Sequence, residues 1–341
     1  MEIKKTKFGC LSNGKKVKLY TLEAGDLKLT LCNYGATWTS LKVPSRKNGK
    51  ADVLLGYSGL DGYLNNIPVF GATVGRFAGR ISGAKFTLNG KEHHLAANEG
   101  ANNLHAGPRG FDKCLWKAES YTENEGIYIR FELESPDGDS GFPGNMEAVV
   151  SYGLTKSNEI IASYHAKVDE PCPVNFTNHA YYNLAGEGKG SILSHELVLY
   201  SSSYIEVDKD LIPTGKLLPV DGTIYDFRTR KKIGADVGDK GYDNCFVVDG
   251  EPGKLRPCAE VYENVSGRSM KVFTTQPGIQ FYTSNRDDIH VGKHGFKYGR
   301  SSGFCLETQH YPDAPNHDNF PSCIASPGND YNEKAIFAFD W

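Results

Sequence analysis

Apolar residues in this chain recur at every second position, segment after segment, and almost nowhere with the period of a helix. Leu27, Leu29 and Leu31 alternate with Lys28, Thr30 and Cys32. Ile127, Ile129, Phe131 and Leu133 alternate with Tyr128, Arg130, Glu132 and Glu134. Successive side chains of a strand point to opposite faces, so this is the spacing of strands with one dry face and one wet face. Lys85-Phe86-Thr87-Leu88 and Lys91-Glu92-His93-His94-Leu95 flank Asn89-Gly90. A type I′ turn needs positive φ at both central residues, and Asn-Gly supplies it, so a hairpin is expected there. Residues 270–275 and 279–283 read as two strands around Gln276-Pro277-Gly278, and 335–339 as a last strand. Only short helical turns fit, for example around Leu60–Leu64.

Strands in this number must close into a barrel or stack as sheets to hide their edges. The expected fold class is all-β, one large antiparallel β-sandwich. No low-complexity linker and no fixed repeat divides the chain, so a single domain over 1–341 is expected. The irregular stretches 97–113, 136–146 and 285–303 are expected as loops at the mouth of a site.

Composition excludes several classes. Glycine is 38 of 341 residues, above the usual ~7%, which suits strands joined by turns. A net charge of −3 gives no electrostatic footprint for nucleic acid or an anionic membrane. No run reaches the ~18 apolar residues of a membrane helix, and no apolar stretch follows the N-terminal Met1-Glu2-Ile3-Lys4-Lys5 as a secretory signal would. The eight cysteines are scattered without a CxxC pair. They read as free thiols, most of them buried, in a reducing cytoplasm.

Two segments more than a hundred residues apart carry the chemistry. One is Asn175-Phe176-Thr177-Asn178-His179-Ala180-Tyr181-Tyr182-Asn183, the other Phe304-Cys305-Leu306-Glu307-Thr308-Gln309-His310-Tyr311. Glu307 follows a strand-like apolar run, and a carboxylate at such a strand end has its charged form disfavoured. His179 sits among more amides than a dry core readily satisfies. A carboxylate and an imidazole in one cleft remove one proton while delivering another. His105 lies in a Gly/Pro-rich loop, Asn102-Asn103-Leu104-His105-Ala106-Gly107-Pro108-Arg109, and reads equally as a ligand contact or a turn. Arg76 and Arg80 lie amid apolar residues in Val74-Gly75-Arg76-Phe77-Ala78-Gly79-Arg80-Ile81. Each must find a carboxylate, a carbonyl or a substrate oxygen, and one of the two is expected to be structural. Asp243 reads first as a turn residue, and Gln280 should face away from Ile279 and Phe281. The candidate metal ligands, His93-His94 and His310/Asp313/His317, lack zinc-site spacing, so no metal is expected. Glu307 with Asp243 leaves a two-carboxylate glycosidase open.

These segments resemble the aldose 1-epimerase (galactose mutarotase) family. The resemblance rests on Gly75-Arg76-Phe77-Ala78-Gly79-Arg80-Ile81, Leu104-His105-Ala106-Gly107 with Arg109-Gly110-Phe111-Asp112-Lys113, Thr177-Asn178-His179-Ala180-Tyr181, Gly241-Tyr242-Asp243 and Leu306-Glu307-Thr308-Gln309. It runs from Asn33 to Gly328 and implies a β-supersandwich with a sugar cleft. It implies Glu307 as general base and His179 as general acid. Arg80, His105, Tyr181, Asp243 and Gln280 are implied to bind or orient the sugar. It implies a galactose or glucose substrate and no cofactor. A monomer is expected, because no amphipathic dimer helix is evident. Many relatives carry Asn where this chain has Gly79, which removes one contact. A hexose 6-phosphate epimerase and a non-catalytic sugar-binding protein are the competing expectations.

Overall fold

A nine-stranded antiparallel sheet forms the spine of the computed structural model, which describes residues 1–47 and 49–341. Its strands run in the order Lys117–Glu123, Gly126–Ser135, Met146–Thr155, Glu159–Val168, Tyr331–Asp340, Ser269–Thr274, Arg256–Tyr262, Glu196–Leu199 and Lys231–Lys232. The last strand is therefore not an edge. It is ten residues long and pairs with Glu159–Val168 on one side and Ser269–Thr274 on the other. Its apolar residues explain the position: Ala335, Phe337 and Phe339 are buried on one face.

A five-stranded sheet of Glu2–Cys10, Lys16–Ala24, Leu27–Cys32, Thr37–Val43 and Ala51–Asp52 packs against this spine. The alternating residues do the packing. Tyr20 meets Phe131 edge-on at 6.2 Å, and Trp38 meets Tyr152 at 5.1 Å and Phe337 at 5.5 Å. Edge-to-face pairs at such distances add to the gain from area burial. The expected hairpin is present as Lys85–Leu88 and Lys91–His94, with φ of 51° at Asn89 and 77° at Gly90. The helix at Leu60–Leu64 is the one α-helix among the described residues.

A third sheet carries the chemistry. It orders Pro213–Pro219, Ser203–Val207, Asp243–Val247, Gly278–Tyr282 and Cys305–Gln309. The two strands expected around Gln276-Pro277 exist, but they belong to different sheets. Ser269–Thr274 lies in the nine-stranded sheet and Gly278–Tyr282 in this one. The buried Gln276 side chain holds the crossing point by donating to the carbonyls of Phe176 and Thr308 at 3.0 and 3.1 Å.

The stretch 136–146 departs from expectation, since it contributes nothing to the lining of the main cleft. It wraps the fully buried Arg76 instead. Arg76 donates to the carbonyls of Ser135, Pro136, Pro143 and Gly144 at 2.7–3.0 Å and to Ser135 Oγ at 2.9 Å. Of the two early arginines, Arg76 is the structural one.

Candidate active site

Strand alternation builds one wall of a cavity of about 630 Å³. Gln280 lies directly across from Cys245 on one side and Glu307 on the other. Two residues along, Tyr282 lies across from Asp243 and Cys305. The intervening Ile279, Phe281 and Leu306 point into the core. Period-two geometry thus places Asp243, Gln280, Tyr282 and Glu307 on one face. Glu307 is in the middle of its strand, not at its end, and is 3% exposed.

His179 arrives from the opposite wall. It follows Thr177–Asn178, which pairs with Thr73–Val74, and its backbone exchanges bonds of 2.9 Å with Ala72 and Gly71. Its ring stacks on Tyr181 at 5.1 Å and meets His105 edge-on at 5.4 Å. Its Nε2 stands 3.7 Å from Glu307 Oε1. The Tyr181 hydroxyl donates to the Pro68 carbonyl at 3.0 Å, so the ring face is what supports His179.

His105 and Arg80 come from a two-residue ribbon in which Leu104 pairs with Arg80. The Gly79 N–H donates to His105 Nδ1 at 3.1 Å, which leaves the proton of the neutral ring on Nε2. Gly79 has φ of 83°, and a Cβ there would meet Pro312 at 3.0 Å. Arg80 donates through Nε and Nη2 to Glu99 at 2.7 and 3.0 Å. Asp243 accepts from Gln280 Nε2 at 2.6 Å and lies 3.8 Å from Arg80 Nη2.

Burial sets the proton distribution. It pushes the Glu307 carboxyl well above the usual carboxylate range, and the nearby Asp243 adds to the push against a weaker pull from Arg80. It pulls the His179 imidazole down to about 4. His105 is held well below its ordinary value by burial, then by His179 and Arg80. Burial thus biases the pair toward a protonated Glu307 carboxyl and a neutral His179 ring.

All seven residues expected at the site line this one cavity: Arg80, His105, His179, Tyr181, Asp243, Gln280 and Glu307. Parts of 97–113 and 285–303 reach it through Glu99, Leu104, Asn285 and Arg286. The fold also adds residues the sequence reading passed over. Glu99 is one; the rule that an arginine amid apolar residues needs a partner pointed to such an acid without naming it. Tyr282 and Gln309 are others, placed there by alternation from Gln280 and Glu307. His179, Cys305 and Glu307 bring ligand-type atoms within 4.8 Å of one another, a cluster that spacing alone did not suggest. Cys305 Sγ approaches Nδ1 at 3.5 Å whereas Glu307 approaches Nε2. Two partners on different ring nitrogens suit proton handling better than one shared ion, which must lie on a single lone pair.

A family model for aldose 1-epimerase matches residues 18–338. Galactose mutarotase of Homo sapiens is 42% identical over 332 residues, covering 96% of this chain and 95% of its own. Aldose 1-epimerase of Escherichia coli K12 is 36% identical over 338 residues, covering 96% of each. Among solved structures, an aldose epimerase homologue from C. elegans superposes with a TM-score of 0.86 at 28% identity, covering 99% of both chains. With this much of its length matched, and a carboxylate and an imidazole facing each other in the cleft, the chain belongs to the aldose 1-epimerase family.

Proposed function

We propose that the protein interconverts the α and β anomers of free hexoses such as galactose and glucose, with Glu307 as base and His179 as acid. The observation that carries this assignment is the 3.7 Å approach of His179 Nε2 to Glu307 Oε1 in a buried cleft. Sugar hydroxyls donating to Glu307 favour its ionised form, and its proton passes to His179. Glu307 then takes the proton of the C1 hydroxyl while His179 protonates the ring oxygen. The C1–O5 bond breaks and leaves the aldehyde, with the proton again on Glu307 and His179 neutral. That is the direction in which burial biases both groups. Rotation about C1–C2 followed by the reverse transfers closes the opposite anomer.

The Nε2–H of His105 and a free N–H of Arg80 serve as donors to the ring oxygen as charge develops there. Gln280 Oε1 and Gln309 Nε2 are buried without a protein partner among the described residues, and a polyhydroxyl ligand satisfies such groups. Tyr181 supports the His179 ring, and Asp243 accepts from a sugar hydroxyl.

A neutral sugar fits better than a phosphorylated one. Lys209, Lys240 and Arg286 reach the rim, yet Lys209 lies 3.4 Å from Asp210 and Arg286 lies 3.0 Å from Asp288. The same reading takes 1–341 as one catalytic domain, supported by a core that runs from Tyr20 to Phe339. It places a monomer in the cytoplasm, where the eight unpaired cysteines stay reduced. No helix among the described residues is long and apolar enough to cross a membrane.

Polarimetry of freshly dissolved α-D-galactose tests the activity. Acceleration to an unchanged equilibrium rotation is expected. An unchanged spontaneous rate sinks the proposal, and faster turnover of galactose 6-phosphate than of galactose reverses the choice of substrate.

A further inference from the structure

Arg80 is held along one edge and open along the other. Its Nε and Nη2 donate to the two carboxylate oxygens of Glu99 at 2.7 and 3.0 Å. Nη2 also lies 3.8 Å from Asp243 Oδ2. Nη1 has no hydrogen-bond partner among the described residues. A guanidinium is a rigid planar fork, so gripping the Nε/Nη2 edge fixes the direction in which Nη1 points.

The Glu99 carboxylate is delivered by a backbone that does not depend on it. Glu99 exchanges backbone bonds of 3.1 and 3.0 Å with Asn102. Asn98 is pinned to both the N–H and the carbonyl of Leu104, at 2.7 and 3.0 Å. Leu104 is the strand partner of Arg80. The carboxylate is thus delivered by the turn that leads into the ribbon strand paired with Arg80, 19 residues away in the chain.

We propose that Glu99 is a positioning residue that grips one edge of Arg80, leaving Nη1 as a donor to the cleft and keeping the guanidinium from closing onto Asp243. The inference rests on the epimerase reading above and adds a residue to it. With Arg80 held back, Asp243 keeps Oδ2 for a sugar hydroxyl while Oδ1 accepts from Gln280.

The charges around Arg80 make the role measurable. Glu99, Asp243 and Tyr282 face it, Glu307 lies within its field with Tyr181, Cys245 and Cys305 about that carboxyl, and His105 and His179 occupy the same space. The Glu99 carboxylate offsets part of the positive charge of Arg80. Removing that carboxylate frees the charge to act on Asp243 and Glu307, which favours their ionised forms. The pH at which Glu307 loses its proton should then fall.

Glu99→Gln, Glu99→Asp and the parent are compared by polarimetry with α-D-galactose across pH, beside a crystal structure of Glu99→Gln. The expected result for Glu99→Gln is a KM raised by about tenfold, the scale of one hydrogen bond to a charged group. The alkaline limb of kcat/KM should move to lower pH, and Arg80 should turn onto Asp243 in the crystal. Glu99→Asp keeps the charge and loses reach, so its alkaline limb should stay at the parent pH while KM rises. Parent KM and an unmoved limb in Glu99→Gln overturn the inference. So does lost activity with an unmoved limb and a lower Tm, the signature of a merely structural residue. A parent inert in polarimetry overturns the epimerase reading instead, and the position of Arg80 in the variant crystal then decides the inference alone.

Discussion

Glu307 lies directly across the sheet from Gln280, and both side chains face the cleft while their neighbours Leu306 and Phe281 are buried in the core. The carboxylate is therefore fixed by backbone pairing on a rigid strand rather than by a loop. Its partner His179 is fixed in turn by stacking on Tyr181. Removing either reacting group should leave the cleft standing.

Glu307→Gln keeps the shape and loses the base. Its kcat should fall on the order of a thousandfold, the usual contribution of a positioned proton-transfer group. Galactose affinity measured by calorimetry should stay within a fewfold of the parent. A variant as fast as the parent removes Glu307 from the mechanism.

The pH profile of kcat/KM should be a broad bell. Activity needs the form in which the pair holds one proton. On the acid side a second proton enters at His179, whose imidazole burial pulls down to about 4, so activity rises through that pH. On the alkaline side the proton leaves Glu307, whose carboxyl burial holds well above its ordinary range, so activity falls only there. A His179→Gln variant should show a residual rate without the limb near pH 4. A parent profile that turns down on the acid side near 6.5 contradicts this distribution.

Arg76 should be a stability residue and nothing more. Arg76→Met removes the donor of four carbonyls, those of Ser135, Pro143 and Gly144 at buried residues, and of Ser135 Oγ. Each unmet buried acceptor costs about 1–3 kcal/mol, and loop relaxation recovers part of it. A loss of at least ~3 kcal/mol in urea unfolding is expected, with kcat per folded molecule unchanged. Equal stability in parent and variant refutes the assignment.

Gly79 should resist substitution. Its φ of 83° lies in the left-handed region, which alanine adopts less readily than glycine or asparagine, and an added Cβ meets Pro312 at 3.0 Å. Gly79→Ala should cost at least about 1 kcal/mol. It should also raise KM, since Gly79 holds His105 and Pro312 lines the cleft. Thermal unfolding and polarimetry on one preparation check both effects.

The sequence by itself determined the strands, because the period of two is a local property written in Leu27, Leu29 and Leu31 or Ile127, Ile129 and Phe131. It determined the Asn89-Gly90 hairpin for the same reason, and its ordered motifs pointed to the family. It nominated His179 and Glu307 from residue type and company. Tertiary structure decided which strands share a sheet: residues 270–275 and 279–283 are read as two strands a turn apart, and they belong to different sheets. It also separated Arg76 from Arg80, two similar arginines four residues apart, by surrounding one with carbonyls and giving the other Glu99. The physical reason is that a buried cation is defined by its partners. Those partners arrive from positions 19 residues away and 59 or more residues away, a separation that no local pattern encodes.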